Sequence, residues 1–247
     1  MCRLLGVIAN KPVDIDYSYS HFQKLSQGNP DGWGIGWYKK GIPFFEKKPV
    51  RADTDSYNKK IKSKIFLSHL RFATEGDLHR NNCHPFMEVP WLFAHNGGIN
   101  RRKLLEMVDS AWKDESKIKG ETDSEVFFYW LLQNISNNKD NVISGIKEAL
   151  LKSEDVDHFS RNFILTDGKT VYAYRDYYSL CYVERDPENL ADAFSDDISD
   201  LLKSKSLNHE KAVIICSQEL GDEKWKHLKE RELLVVSGDL KVNKHQL

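Results

Sequence analysis

The second residue of the chain, Cys2, combines a reactive side chain with a position at the chain start. Removal of the initiator methionine ahead of this small residue would leave a thiol and a free α-amine on one residue. An α-amine titrates near about 7.7–8.0 and a thiol near about 8.5, so the amine can accept the thiol proton at neutral pH. N-terminal nucleophiles activated in this way are an established catalytic device. The alternative interpretation is a small apolar residue at the start of a buried strand.

Arg71 stands where residues 68–76 change from a predicted strand into a turn. A planar guanidinium at the end of a rigid strand can hold a substrate carboxylate in a bidentate pair. The alternative is a surface arginine that pairs with a nearby acid.

Asn96 and Gly97 follow another predicted strand and are followed by Gly98. The Asn96 Nδ2 atom and the Gly97 main-chain N–H could together donate hydrogen bonds to a developing oxyanion. The competing interpretation is an ordinary Asn-Gly turn.

Two further acidic residues are candidates for binding or for local structure. Asp123 begins a predicted helix, where the helix dipole favours a carboxylate and where a substrate ammonium group would also be well placed. Asp31 lies in a turn that enters a strand, without the glycine spacing of a dinucleotide site, and we expect it to stabilise that turn.

Four histidines lie within 27 residues, at positions 69, 79, 84 and 95, which raises the alternative of a metal site. None of them has the HExxH spacing that places two ligands on one helix face. Histidines at irregular intervals in a strand-rich segment more often serve the core or turns, so we predict neither a metal nor another cofactor.

Strands are the main elements that must position these residues. Runs of β-branched and aromatic residues predict strands at residues 3–9, 33–38, 65–69, 91–95, 162–166, 171–174, 181–184, 213–216 and 233–236. Helical periodicity predicts helices at residues 19–26, 102–108, 124–135, 142–151 and 190–202. Thr122 and Glu125 form a capping-box pattern ahead of the third helix, which is apolar all round. Asp167-Gly168 predicts a hairpin, and the whole pattern indicates an α+β layered fold.

Composition narrows the class of protein. The chain has 247 residues, with 36 Lys and Arg against 37 Asp and Glu, so its net charge of −1 gives no electrostatic footprint for nucleic acid. No apolar run approaches the roughly 20 residues that span a membrane. The start of the chain has no secretory leader pattern, and four cysteines without a CxxC pair suit a reducing compartment. We therefore expect one cytoplasmic domain over residues 1–247.

Taken together, six motifs in order resemble the class II glutamine amidotransferase family. They are Met1-Cys2-Arg3, Asn29-Pro30-Asp31-Gly32-Trp33-Gly34-Ile35-Gly36-Trp37, His69-Leu70-Arg71-Phe72-Ala73-Thr74, Cys83-His84-Pro85-Phe86, Phe93-Ala94-His95-Asn96-Gly97 and Thr122-Asp123-Ser124-Glu125. More narrowly, the chain is similar to stand-alone amidotransferases of about this length, a group that includes γ-glutamyl hydrolases. Glu75 and Cys83 depart from this pattern, because members often have His and Thr at those two positions.

The resemblance implies an N-terminal-nucleophile hydrolase fold, a four-layer αββα sandwich of two antiparallel sheets. It also implies roles for individual residues. Cys2 is the nucleophile, with its own α-amine as base, and Asn96 and Gly97 form the oxyanion hole. Arg71 binds the substrate α-carboxylate and Asp123 its α-ammonium, while the main chain at Thr74 and Gly98 lines the pocket.

Two classes of function follow from this resemblance. The first is an enzyme that hydrolyses glutamine or a larger γ-glutamyl amide to glutamate and ammonia or an amine, alone or beside a synthetase or peptidase partner subunit. The second is a module of the same fold that senses glutamine or docks on a partner, which requires Met1 to remain and block the amine. A metal hydrolase built on the histidines is a third interpretation.

Overall fold

The computed structural model describes residues 1–14, 22–55, 61–114, 116–187, 210–220 and 223–247. These residues form two antiparallel sheets, with helices packed on the outer face of the second sheet. The predicted α+β class with two antiparallel sheets is confirmed. On the outer face of the first sheet, the described residues include only short helical turns at residues 22–28 and at Ala52–Thr54.

The first sheet contains seven strands. They are β1 (Arg3–Val13), β2 (Gly32–Lys39), β3 (Ile42–Lys48), β4 (Ser63–Arg71), β9 (Cys181–Arg185), β10 (Ala212–Cys216) and β11 (Lys226–His227). Their order across the sheet is β11-β9-β10-β1-β4-β2-β3. The central strand β1 pairs with β4 so that Arg3 lies opposite Leu70. This register places the residue before β1 beside the residues that follow β4.

The second sheet contains six strands. They are β5 (Phe86–Glu88), β6 (Trp91–Ile99), β7 (His158–Thr166), β8 (Val171–Arg175), β12 (Glu232–Val236) and β13 (Val242–Gln246). Their order is β13-β12-β8-β7-β6-β5. The predicted hairpin at Asp167-Gly168 is confirmed: it joins β7 to β8, and Gly168 has a φ of +82° that favours glycine.

A hydrophobic core lies between the two sheets, which pack face to face. Leu4, Ile8 and Leu67 from the first sheet pack with Leu92 and Ile164 from the second. Side chains on successive strand residues alternate between the two faces of a sheet, so this core uses only one face of each strand. The packing fixes β1, β4 and β6, the three strands that adjoin the candidate site, relative to one another.

Three helices are described in full: α1 (Arg101–Met107), α2 (Asp123–Asn137) and α3 (Val142–Lys152). Helix α2 is buried from Asp123 to Ile135, as its all-round apolar sequence predicts, because it lies between the second sheet and α3. No helix among the described residues is long and apolar enough to cross a membrane.

The structure contains four strands that the sequence did not predict: β3, β5, β11 and β13. Strand β3 ends in Glu46-Lys47-Lys48, and β5 and β11 have three and two residues, so none of them shows a strong apolar alternation. They form because a neighbouring strand supplies hydrogen-bond partners, as β2 does for β3.

The predicted capping box is wrong. Thr122 is the N-cap residue of α2, but its side chain makes no capping hydrogen bond. The Glu125 carboxylate instead accepts a hydrogen bond from the main-chain nitrogen of Gly120, at 2.5 Å. The helix start is therefore stabilised by the loop in front of it.

Two helix predictions fall wholly or partly on residues outside the described ranges. The helix at residues 190–202 lies outside them entirely. Of the helix at residues 19–26, the described part is helical from residue 22, and it ends in a 3-10 turn at Leu25–Gly28.

Candidate active site

Cys2 lies beside the end of strand β4. Its Sγ atom accepts a hydrogen bond from the Phe72 main-chain nitrogen, at 3.3 Å, and lies 3.5 Å from the Phe72 carbonyl oxygen. Burial raises the pKa of the Cys2 thiol, and the Phe72 hydrogen bond and the charge of Arg71 act in the opposite direction. The thiol is therefore protonated at neutral pH and needs a base before it can act as a nucleophile.

A small cavity at Cys2 brings together five of the seven residues predicted to bind or react with a substrate. They are Cys2, Arg71, Thr74, Gly97 and Asp123. They come from the start of the chain, the end of β4 and its following loop, strand β6 and the first turn of α2. The space free for water is about 20 Å³, which is enough for one water molecule. The cavity must widen before an amide substrate can reach the sulfur.

A wider cavity of about 390 Å³ adjoins the first one and shares Thr74, Glu75 and Asp123 with it. Gly98, another of the predicted residues, lines this wider cavity. Its volume lies within the range of about 300–1,000 Å³ that small-molecule sites have. The two cavities together offer a narrow space at the sulfur and a wider space for the rest of a ligand.

Asn96 and Gly97 lie inside strand β6 and not in a turn after it. The strand extends beyond the predicted residue 95 because residues 96–98 pair in register with β7. The alternative interpretation as an Asn-Gly turn is therefore wrong. Asn96 is 2% exposed, and its Nδ2 atom has no hydrogen-bond partner among the described residues. Leaving a buried donor unpaired costs about 1–3 kcal/mol. Asn96 is not among the residues that line the cavity at Cys2 or the wider cavity beside it, so its part in an oxyanion hole stays a prediction.

Arg71, the last residue of β4, is 3% exposed, so the alternative of a surface arginine is wrong. Its guanidinium donates hydrogen bonds to three main-chain carbonyl oxygens, those of Glu75 at 2.7 Å, Gly76 at 2.9 Å and Asp77 at 3.1 Å. Arg71 therefore holds the loop that follows it. A guanidinium has five N–H donors, so donors remain for a substrate carboxylate; that role stays a prediction.

Asp123 occupies the first turn of helix α2 and is buried. One carboxylate oxygen accepts a hydrogen bond from the Ile99 main-chain nitrogen at 2.8 Å, which ties the helix to the end of β6. Burial raises the pKa of Asp123, although its hydrogen bonds act in the opposite direction. Burial also raises the pKa of Glu75, and the nearby negative charge of Asp123 adds to that effect. The wall shared by the two cavities is therefore acidic and suits a cationic group.

Asp31 does more than stabilise the turn that contains it. Its carboxylate accepts a hydrogen bond from the Ala73 main-chain nitrogen at 2.8 Å, and its own nitrogen donates to the Arg71 carbonyl at 3.2 Å. Both bonds hold the segment after β4 in the place where Phe72 meets Cys2.

Sequence reasoning did not assign roles to several polar residues that also line the cavity at Cys2. They are Asn82, His84, His95, Thr122 and Ser124. Both ring nitrogens of His84 and the Thr122 hydroxyl are buried without a partner among the described residues. Each of these residues except Asn82 belongs to one of the six motifs. His84 and His95 also belong to the histidine group considered above as a metal site, and Thr122 to the predicted capping box.

Three of the four clustered histidines, His69, His84 and His95, are buried and neutral. The rings of His69 and His84 lie 4.0 Å apart, and the His69 Nε2 atom donates to the His95 carbonyl at 3.1 Å. Burial lowers the pKa of His69 to about 3 and that of His95 to about 4. Over the described ranges, no group of three or more His, Cys, Asp or Glu side chains is placed to hold a metal ion.

Comparison with known proteins gives matches over most of the chain. Residues 1–246 match the family model of class-II glutamine amidotransferases. The chain is 30% identical over 248 residues to YafJ, a putative glutamine amidotransferase of Escherichia coli, covering 92% of this chain and 94% of that protein. It is also 33% identical over 87 residues to the gamma-glutamyl-hercynylcysteine sulfoxide hydrolase of Mycobacterium tuberculosis, covering 33% of this chain and 37% of that protein.

Among solved structures, the fold is similar to that of a predicted glutamine amidotransferase from Pseudomonas aeruginosa. The TM-score is 0.66 at 22% sequence identity, and the match covers 98% of this chain and 99% of that one. At this level of identity the likeness establishes the fold, which agrees with the sandwich expected from the sequence motifs.

Proposed function

Because this chain belongs to the class-II glutamine amidotransferase family, we propose that it hydrolyses the γ-amide bond of glutamine or of a γ-glutamyl amide, with Cys2 as the nucleophile. The observation that carries the proposal is the single cavity that Cys2 shares with Arg71, Gly97 and Asp123. These four residues are spread over the first half of the sequence, and each suits one part of such a substrate.

The reaction proceeds in two steps. In the first, the α-amine of processed Cys2 takes the thiol proton, the sulfur attacks the γ-carbonyl carbon, and the C–N bond breaks as the leaving amine takes up that proton. In the second, the α-amine takes a proton from water, the hydroxide attacks the γ-glutamyl thioester, and glutamate leaves as the thiol is restored. The unpaired Nδ2 atom of Asn96 and the Gly97 main-chain N–H stabilise the oxyanion in both steps.

Opposite charges in the cavity suit the two ends of an amino-acid head group. Arg71 binds the α-carboxylate through the N–H donors that it does not use on the loop after β4, and Asp123 binds the α-ammonium group. The acidic wall that Asp123 forms with Glu75 supports the ammonium end of this assignment.

The leaving side of the substrate is less closely defined than the head group. We propose that the enzyme accepts several γ-glutamyl amides, and two observations support this. One is the cavity of about 390 Å³ beside the narrow one. The other is the partial similarity to a protein named as a gamma-glutamyl hydrolase.

The test is to incubate the isolated protein with glutamine and with a series of γ-glutamyl peptides, and to measure glutamate release. We expect γ-glutamyl peptides to have kcat/KM values comparable with or above that of glutamine. A preference for glutamine of more than about 100-fold, about 2.7 kcal/mol, points instead to a subunit that supplies ammonia to a synthetase. Saturable glutamine binding without turnover, in protein that retains Met1, points to a sensing module.

A further inference from the structure

A buried amide, that of Asn29, contacts the peptide group that joins Met1 to Cys2. Asn29 follows the 3-10 turn Leu25–Gly28 and is 1% exposed. Its Nδ2 atom donates a hydrogen bond to the Met1 carbonyl oxygen at 2.5 Å. Its Oδ1 atom is also buried but has no partner among the described residues. An unpaired buried oxygen is unfavourable, so one further N–H donor at Oδ1 would be stabilising.

A cationic side chain, that of Arg3, approaches the same peptide group. Its Nη1 atom lies 3.2 Å from the Met1 carbonyl oxygen and 3.4 Å from the Cys2 carbonyl oxygen. The oxygen and nitrogen of one peptide group are held in a plane about 2.3 Å apart. The Cys2 nitrogen therefore lies no more than about 4.8 Å from the Asn29 Nδ2 atom and about 5.5 Å from the Arg3 Nη1 atom.

Resting on the proposed function, we infer that Asn29 and Arg3 form the binding seat of the Cys2 α-amine after Met1 has been removed. Hydrolysis of the Met1–Cys2 bond by a methionine aminopeptidase consumes one water, releases methionine and leaves an α-amine. This cleavage removes the carbonyl oxygen that Asn29 Nδ2 contacts. It also creates amine N–H groups that can donate a hydrogen bond to the unpaired Oδ1 atom. Asn29 then fixes the direction of the amine lone pair.

Arg3 has a separate effect on the same amine. A positive charge nearby disfavours protonation of an amine, so the neutral form, which is the base, persists to lower pH. The contact with the Cys2 carbonyl oxygen does not involve Met1, so it can hold the Arg3 guanidinium beside Cys2 after Met1 has been removed. Neither side chain lines the cavity at Cys2, so both are positioning residues.

The experiment compares wild-type protein with Asn29→Ala, Asn29→Asp and Arg3→Met. The matched controls are Arg102→Met, whose side chain is 91% exposed, and Asn243→Ala on exposed strand β13. Intact mass establishes Met1 removal in each protein. Two pH profiles are then recorded from pH 5 to 9: kcat/KM for a hydrolysed γ-glutamyl amide, and the rate of Cys2 alkylation by iodoacetamide, located by peptide mapping.

We expect Arg3→Met and Asn29→Asp to move the acidic limb of both profiles to higher pH by about one unit, since each makes the site less positive. Asn29→Ala should lower kcat at least tenfold with KM within a factor of two. The controls should match the wild type.

The inference is overturned if Met1 is retained in the wild type, or if Arg3→Met and Asn29→Asp leave both profiles within 0.2 pH unit of it. Arg3 is partly exposed, so this variant is informative even if Asn29 variants do not fold. If no amide is hydrolysed but the alkylation profiles shift as expected, the proposed function fails while the seat for the amine stands.

Discussion

The sulfur of Cys2 lies 3.3 Å from the main-chain nitrogen of Phe72, 70 residues further along the chain. Strand pairing produces this contact, because β1 and β4 run antiparallel with Arg3 opposite Leu70. The thiol therefore lies beside Phe72, the residue that directly follows the strand ending in Arg71. The proposed nucleophile and the proposed carboxylate-binding residue are thus placed together by one pair of central strands.

The first prediction concerns this sulfur. Cys2→Ala should abolish glutamate release and leave the melting temperature close to that of the wild type, because Cys2 precedes the first strand and contributes little packing. A glutamine-mimicking electrophile should add once, at Cys2, as measured by intact mass and peptide mapping. Cys83→Ala is the control and should keep its activity. Labelling mainly at Cys83, Cys181 or Cys216 would remove Cys2 from the role of nucleophile.

The second prediction concerns Arg71. Arg71→Lys should lower kcat/KM for glutamine by roughly 10- to 1000-fold, because charge-assisted hydrogen bonds are worth about 1.5–3 kcal/mol and lysine cannot reproduce the planar fork. The comparison substrate is a glutamine analogue without the α-carboxylate. If Arg71 binds that group as well as the loop, the variant loses more activity on glutamine than on the analogue. An equal loss on both substrates shows that Arg71 acts only by holding the loop at residues 75–77.

The third prediction concerns Asp123. Asp123→Asn keeps the size of the side chain and an oxygen for the Ile99 nitrogen, but removes the charge, so KM for glutamine should rise roughly 10- to 1000-fold. Because burial raises the pKa of Asp123, wild-type kcat/KM should begin to fall at a higher pH than an ordinary aspartate would give. Asp157→Asn, at the rim of the wider cavity and 74% exposed, is the control and should change KM less.

The fourth prediction separates the two adjacent glycines of β6. A Cβ atom at position 97 would lie 1.9 Å from the Ser160 carbonyl oxygen, whereas one at position 98 would meet the ring of Phe159, which is half exposed. A ring can rotate away but a paired strand cannot, so Gly97→Ala should cost about 1–3 kcal/mol of stability and most of the activity. Gly98→Ala should cost less of both. Urea unfolding and glutamate release measure the difference, with Gly28→Ala in open space as control.

The fifth prediction concerns acid stability. In the folded protein the pKa values of His69 and His95 are about 3 and about 4, below the value of about 6.5 expected in the unfolded chain. The unfolded chain therefore binds protons first as the pH falls. The stability contributed by each neutral ring is complete above about pH 6.5 and is lost toward the folded-state pKa, by on the order of 3 kcal/mol each.

Urea unfolding between pH 7 and pH 4 measures this effect. His95→Asn should flatten the dependence of unfolding free energy on pH, although the variant is less stable at pH 7. The control is His227→Gln, because His227 is exposed and pairs with Glu219 at the surface. An unchanged slope in His95→Asn would show that His95 is not held neutral by burial.

Sequence alone determined the family and most of the regular structure. Nine strands and the hairpin at Asp167-Gly168 follow from local apolar runs and turn residues. The runs are strong because strands such as β1, β10 and β12 are buried on both faces. The buried helix α2 follows equally from its apolar sequence. Strand β3 could not be predicted from the sequence, because Glu46-Lys47-Lys48 has no apolar pattern and the strand forms by pairing with β2.

The sequence named the residues of the site one at a time, and only the tertiary structure decided their surroundings. It showed that Asn96 and Gly97 lie inside a strand, that Arg71 is engaged by three carbonyl oxygens of its own loop, and that Glu125 does not cap Thr122. These outcomes depend on contacts between segments far apart in the chain. Local propensity does not specify which main-chain groups of another strand or loop come near a residue. Residue type therefore determined the chemistry of the site, and tertiary packing determined its geometry.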